Sequence, residues 1–185
     1  MARDLTKEKV VNKAADLANE LGDVHQLTLK ELAAALNIKV PSLYNHIEGI
    51  DGLIYALRVH THTIWYENLR DAMAGKIGSE ALWVAAQSYR SFAHANPGVY
   101  QLILPAAETN SEIDQIGWNT ISLLLLILGS FGLDGDEALH VVRGFRSLVH
   151  GFASLELAGG FELDLDLDQS FEQLFKAYLN GLNLV

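Results

Sequence analysis

Six polar side chains of four kinds lie close together in the stretch "TLKELAAALNIKVPSLYNHI": the hydroxyls of Thr28, Ser42 and Tyr44, the ammonium of Lys39, the amide of Asn45 and the imidazole of His46. They suit hydrogen bonding to a polar surface better than bond making, and no phosphate-binding loop, nucleophile elbow or zinc-ligand spacing is present in the chain. A polar surface that such groups match is the major groove of duplex DNA. Val40 and Pro41 offer apolar contact to a thymine methyl, Ser42 donates or accepts at a base edge, and Asn45, one turn on, suits adenine. Lys39, Tyr44, His46 and the Thr28 hydroxyl suit phosphates, which fix register rather than read sequence.

The elements that must position these groups follow from apolar spacing. Val10, Ala14, Leu17, Ala18 and Leu21 predict an amphipathic helix over 6–21, with Thr6 as N-cap and Gly22 just past its end. Thr28 and Glu31 form a capping box for a second helix that turns Leu29, Leu32, Ala33 and Leu36 inward. A third helix takes Pro41 in its first turn, where a missing N–H costs nothing, and buries Leu43 and Ile47. Two short helices joined by a tight turn, the second showing small polar groups from its first turn, form the arrangement in which a recognition helix enters the major groove.

Beyond Glu48-Gly49 the pattern predicts helices over about 50–73, 79–95, 111–128, 134–158 and 168–184, and no β-pattern competes. The expected fold is all-α: a helix-turn-helix DNA-binding domain over 1–50 joined to a helical ligand-binding and dimerisation domain over 51–185. The helix over 111–128 is apolar on nearly all sides toward its end and is expected to be buried all round. Gly144, Ser147, Gly151 and Ser154 form a row of small residues that lets another helix approach closely, and Phe171, Phe175 and Tyr178 line the last helix. These seven are the candidate subunit interface, a four-helix bundle in a homodimer, with an intramolecular core as the alternative. "ELDLDLD" over 162–168 mimics the start of a calcium loop but lacks the glycine and alternates with leucines, so a solvated connector with inward leucines is expected.

Composition narrows the classes. A chain of 185 residues that is 50% hydrophobic can bury a real core, and its lack of cysteine excludes disulfides and thiolate metal sites. The longest apolar run, "ISLLLLIL", is too short to span a bilayer, and "MARDLTKEKVV" has no apolar signal core, so a cytoplasmic protein is expected. The net charge of −10 is uneven: residues 1–60 hold seven Lys+Arg against eight Asp+Glu, whereas the remainder holds six against fifteen. The first third is thus the part able to approach a polyanion.

Across residues 6–57 the chain resembles the DNA-binding domain of the tetracycline-repressor (TetR) family. Its pattern of Thr, Leu-Ala, Gly-Val-Ser, Leu-Tyr, His-aromatic and Leu reads here as Thr28, Leu32-Ala33, Asn37-Ile38-Lys39, Leu43-Tyr44, His46-Ile47 and Leu53. The resemblance implies base contacts from Val40, Pro41 and Ser42 and phosphate contacts from Thr28, Tyr44 and His46. Two departures stand out. Asn37 replaces the turn glycine, and Ile50 stands where many members place a phosphate-binding lysine. The C-terminal part more loosely resembles the type marked by Trp-His-Gly, here Val149-His150-Gly151. The family implies an operator duplex, a small-molecule effector and a homodimer as partners, with no cofactor.

An effector site should be an apolar cavity with a few polar groups. Trp65, Tyr66, Tyr89, Phe92, Tyr100 and Trp118 are the aromatic candidates, and a neutral or hydrophobic ring-bearing ligand is favoured because Arg90 is the sole Lys or Arg over 78–131. Two other classes remain open from residues alone. One is a helical adaptor without DNA contact, favoured by the acidic balance. The other is a metal-dependent enzyme, which His60 and His62 do not support, since two apart on a helix they face different ways, and which would need His94, His140 and His150 to converge.

Overall fold

In the computed structural model, which describes residues 5–184, all regular structure is helical. Among the described residues the helices are α1 (Lys7–Leu21), α2 (Leu29–Ala35), α3 (Val40–Leu43), α4 (Gly49–Met73), α5 (Gly78–Ala95), α6 (Glu112–Gly129), α7 (Gly135–Leu157) and α8 (Leu167–Gly181), with short 3-10 turns at Val24–Gln26 and Tyr100–Ile103. Two compact units result. One holds the chain up to Ile64 together with Asn96–Asp114; the other holds Trp65–Ala95 and the chain from Gln115 onward.

In the first unit α1 starts where expected, because the Thr6 side chain accepts from the Lys9 N–H, and it stops where Gly22 enters the left-handed region at φ 73°. Val10, Ala14, Ala18, Leu32, Leu43, Leu53 and Leu57 are all fully buried in one core. Burying a leucine contributes on the order of 1.5–3 kcal/mol, so these few side chains hold three short helices that could not persist alone. The core has a contribution that the spacing of α1–α4 does not predict. Val99 and Leu102 join it from beyond α5, and the Val24 N–H donates to the Gly98 carbonyl at 3.0 Å. The Gly98 N–H donates to the Asn19 side chain, also at 3.0 Å. Arg58 of α4 donates to the carbonyls of Pro105 and Ala106 at 3.2 and 3.3 Å, fixing the following stretch to the same unit.

In the second unit α5 packs along α7, and α8 drives Phe171 and Phe175, each 1% exposed, into a ring cluster with Trp83, Phe145 and Phe152 at centroid distances of 4.9 to 5.8 Å. Here the structure corrects three expectations. The helix α6 is not buried all round: Leu124 and Leu128 face inward, but Leu126 is 74% and Trp118 51% exposed, because one chain supplies cover for one side only. Phe171 and Phe175 do not point toward a partner, since their own chain already encloses them. Two of the three leucines of the 162–168 connector point outward, Leu163 at 77% and Leu165 at 67% exposure, while Leu167 is half-buried at the start of α8; the Leu165 N–H bonds back to the Leu163 carbonyl at 2.8 Å.

Gly98 offers a stringent test of this packing. A Cβ there would stand 1.9 Å from the Ala18 carbonyl oxygen, well inside van der Waals contact and against backbone rather than a movable side chain. Gly98→Ala should therefore destabilise the protein by about 3 kcal/mol or more, read as a lowered thermal midpoint, whereas Gly151→Ala, where nothing lies within 4 Å of the new Cβ, should not.

Candidate nucleic-acid interface and effector cluster

The turn between α2 and α3 is built from backbone bonds. Leu36 closes α2, Asn37 takes φ 53°, and the Asn37 and Ile38 N–H groups return to the Ala34 and Ala33 carbonyls at 3.0 Å each. This is the Schellman pattern that glycine usually serves, and the Asn37 amide side chain tolerates it better than most residues. Lys39 then stands as N-cap of α3 in extended backbone, and Pro41 follows in the first turn.

The regular part of α3 ends at Leu43, so Tyr44, Asn45 and His46 lie in turns and not on a continuing helix face. Asn and His are weak helix formers, and Gly49 at φ 70° interrupts the chain just beyond. What holds this stretch is Leu43 at 0% and Ile47 at 5% exposure. Around those anchors Lys39, Pro41, Tyr44 and Asn45 are exposed, Tyr44 at 59%, while Val40, Ser42 and His46 are half-buried. The apolar and hydrogen-bonding groups of 39–46 thus lie together on one short, anchored projection. Charge around it is mixed: Lys30 and Lys39 stand against Glu31, Glu48 and Asp51, and Ile50 is 41% exposed at the start of α4.

Thr28 is engaged differently from the expectation that its hydroxyl meets phosphate. It donates to the Glu31 carboxylate at 2.7 Å and accepts from the Glu31 N–H at 3.2 Å, and Glu31 in turn accepts from the Thr28 N–H at 3.0 Å. A threonine hydroxyl has a single proton, here already given to an anion, so a phosphate contact would require that bond to open beside a negative charge. Thr28→Val should cost about 1 kcal/mol of unfolding free energy through loss of the cap, measured by urea titration.

The aromatic candidates divide. Trp65, Tyr89 and Phe92 are buried together in the second unit, the Trp65 ring 5.2 Å from Tyr89 and 5.4 Å from Phe92. The Tyr89 hydroxyl lies 3.2 Å from His150 Nδ1, giving this apolar cluster a polar hook that reasoning from aromatic residues alone does not find. Tyr66 is half-buried beneath the Arg70 guanidinium, Trp118 is open to solvent, and Tyr100 belongs to the first unit. Arg90 turns toward Glu156 and Asp168 in a salt-bridge network.

Of the seven candidate interface residues, four serve their own chain. Besides Phe171 and Phe175, Gly144 admits Tyr178, whose oxygen would stand 2.7 Å from a Cβ at 144 and whose hydroxyl donates to the Val141 carbonyl at 2.7 Å. Burial raises the Tyr178 phenol above its ordinary range. Ser147 is exposed, Ser154 is half-buried, and Gly151 has open space beside it. Leu155 and Leu174, at 52% and 42% exposure, are outward apolar residues on α7 and α8 outside that set.

With this geometry the comparisons with known proteins agree. Residues 82–178 match the family model described as "Tetracyclin repressor-like, C-terminal domain". The chain is 33% identical over 182 residues to an uncharacterized HTH-type transcriptional regulator, YobS, of Bacillus subtilis (strain 168), covering 96% of this chain and 93% of that one. It is 32% identical over 180 residues to a second, Rv0681 of Mycobacterium tuberculosis (strain ATCC 25618 / H37Rv), covering 96% and 82%. The crystal structure of SCO4313 superposes with a TM-score of 0.74 at 26% identity, covering 94% of this chain and 97% of that one. The chain belongs to the TetR family of helix-turn-helix transcriptional regulators, a family of non-enzymes.

Burial lowers the His150 imidazole below its ordinary 6.5, and the charge of Arg146 adds to the effect; burial likewise lowers His60. A folded-state value below the unfolded one favours the neutral ring in the fold, so this part of the stability is complete above about 6.5 and is lost as pH falls below it. His150→Gln should make the thermal midpoint fall less steeply between about pH 6.5 and 5, with His60 accounting for a residual slope.

Proposed function

We propose that the chain is a ligand-responsive repressor that binds a pseudo-palindromic operator as a homodimer and is released when a small, largely apolar molecule enters its C-terminal part. The observation that carries this reading is the projection of Val40, Pro41, Ser42, Tyr44 and Asn45 around the buried anchors Leu43 and Ile47. Val40, Pro41 and Ser42 would meet base edges and Asn45 an adenine, while Lys39, Tyr44 and His46 would meet phosphates. With few cations on this face, affinity would rest more on fit than on counterion release, giving a shallower salt dependence than a strongly basic reader shows.

The effector would contact Trp65, Tyr89 and Phe92, with the Tyr89–His150 pair supplying the polar contact that discriminates among ligands. Since α4 contributes to both units, an effector that displaces it would change the separation of two operator-reading heads, which must match grooves about 34–36 Å apart or a multiple of that. The effector acts only through its difference in affinity for the two conformations, and moving the equilibrium from 1:99 to 99:1 takes about 5.5 kcal/mol. No helix among the described residues is long and apolar enough to cross a membrane, and the protein's place of action in this reading is the cytoplasm.

Fluorescence anisotropy with duplexes from the DNA flanking the protein's own gene tests the reading. Expected are sequence-selective, salt-sensitive binding, a loss of about tenfold or more on Tyr44→Ala, and altered base preference on Ser42→Ala. Equal affinity for every duplex, or indifference to both substitutions, would overturn it.

A further inference from the structure

The side of α5 that carries Gln87 and Ser91 borders an open cleft of about 500 Å³ within the second unit, which the end of α7 and the start of α8 also line. The rings of Trp83 and Phe171, 5.6 Å apart, form its apolar wall. At its base Arg90 lies 5.2 Å from the Phe171 ring and 5.5 Å from that of Phe152. It donates through Nε and Nη2 to Glu156, at 2.7 and 2.5 Å, and through Nη1 to Asp168 at 2.6 Å.

This wiring decides what charge the cleft accepts. Glu156 holds two of the guanidinium's donors and also pairs with His94 Nε2 at 2.8 Å, and those hydrogen bonds keep its carboxyl below the ordinary range. Arg90 is thereby committed, and an incoming anion would meet two carboxylates. Asp168 is different: its side chain is 85% exposed, and Arg90 bonds to one of its oxygens only. With the His94 ring neutral, two carboxylates face one guanidinium, and the surplus negative charge falls on Asp168, the group nearest solvent.

We infer that this cleft is a second small-molecule site, separate from the Trp65–Tyr89–Phe92 cluster, and that it takes an organic ammonium ion whose nitrogen meets Asp168 and whose flat apolar part lies against Trp83. A charge-assisted hydrogen bond at the carboxylate and attraction of the cation to the indole face act in the same direction. The volume lies within the usual span for small ligands, and the net charge of −10 raises the local concentration of cations. Gln87 and Ser91 are exposed one and two turns along α5 from Trp83, so their amide and hydroxyl are available to any polar group beyond the nitrogen.

Isothermal titration of the full chain with phenethylammonium tests this, with 2-phenylethanol and phenylacetate as neutral and anionic counterparts of the same shape. Saturable binding of the ammonium alone is expected, weakened about tenfold by Asp168→Asn, the loss of one charge-assisted hydrogen bond. Ser91→Glu, which adds a carboxylate on an exposed wall position, should tighten binding severalfold, and this second variant keeps the test decisive if Asp168→Asn compromises the fold. No binding of the ammonium, equal binding of the alcohol, or no gain from Ser91→Glu would overturn the inference. Operator binding is read on a different part of the chain, so failure here leaves the repressor reading intact.

Discussion

The surface proposed to meet a duplex hangs on the burial of two side chains, Leu43 and Ile47, that flank the exposed residues around them. A four-residue helix has no stability of its own, because nucleating a turn fixes several dihedrals for one hydrogen bond. Leu43 and Ile47, set in a core with Leu32, Leu53 and Leu57, replace that missing intrinsic stability with tertiary packing. The exposed groups between and beside them can then be chosen for recognition alone. Dense packing below and free choice above explain how an element so short carries so many polar functions.

The surface so presented is sparing in charge. Lys30 and Lys39 are offset by Glu31, Glu48 and Asp51, and the α4 terminus offers Ile50 where a lysine would supply a phosphate contact. Thr28 spends its proton on Glu31. Stability of α2 and grip on phosphate therefore compete for one hydroxyl, and in this structure stability holds it. In the proposed reading, recognition rests on Val40, Pro41, Ser42, Tyr44 and Asn45, groups suited to discriminate by shape and hydrogen-bond pattern.

Much of the architecture is legible in the sequence because its signals are local. Apolar periodicity, the caps at Thr6 and Thr28 and the stops at Gly22 and Gly49 mark the helices, and the turn at Asn37 is placed by the resemblance to a family glycine. Periodicity shows which side of a helix is apolar but not what covers it, which is why Phe171 and Phe175 read as interface first, with a core as the alternative. Contacts between distant positions leave no local trace. The Arg90–Glu156 pair spans 66 residues and the Gly98–Asn19 bond spans 79, and neither carboxylate nor amide differs in its neighbourhood from those that stay in solvent. The Tyr89–His150 hook escapes for the same reason, and the outward leucines at 163 and 165 do so because alternation alone does not choose a side.

The docking of Val99 and Leu102 into the first core has a consequence for how this protein can be taken apart. Its helix-turn-helix unit is not a contiguous stretch of chain: its core is completed by residues encoded after α5, seated through Gly98 against the backbone of α1. A chimera that grafts only the first fifty or sixty residues onto another regulator's body would leave part of the head's own core behind. Exchange of recognition specificity between relatives thus has to move two separate pieces of sequence together, or else replace the outward side chains alone.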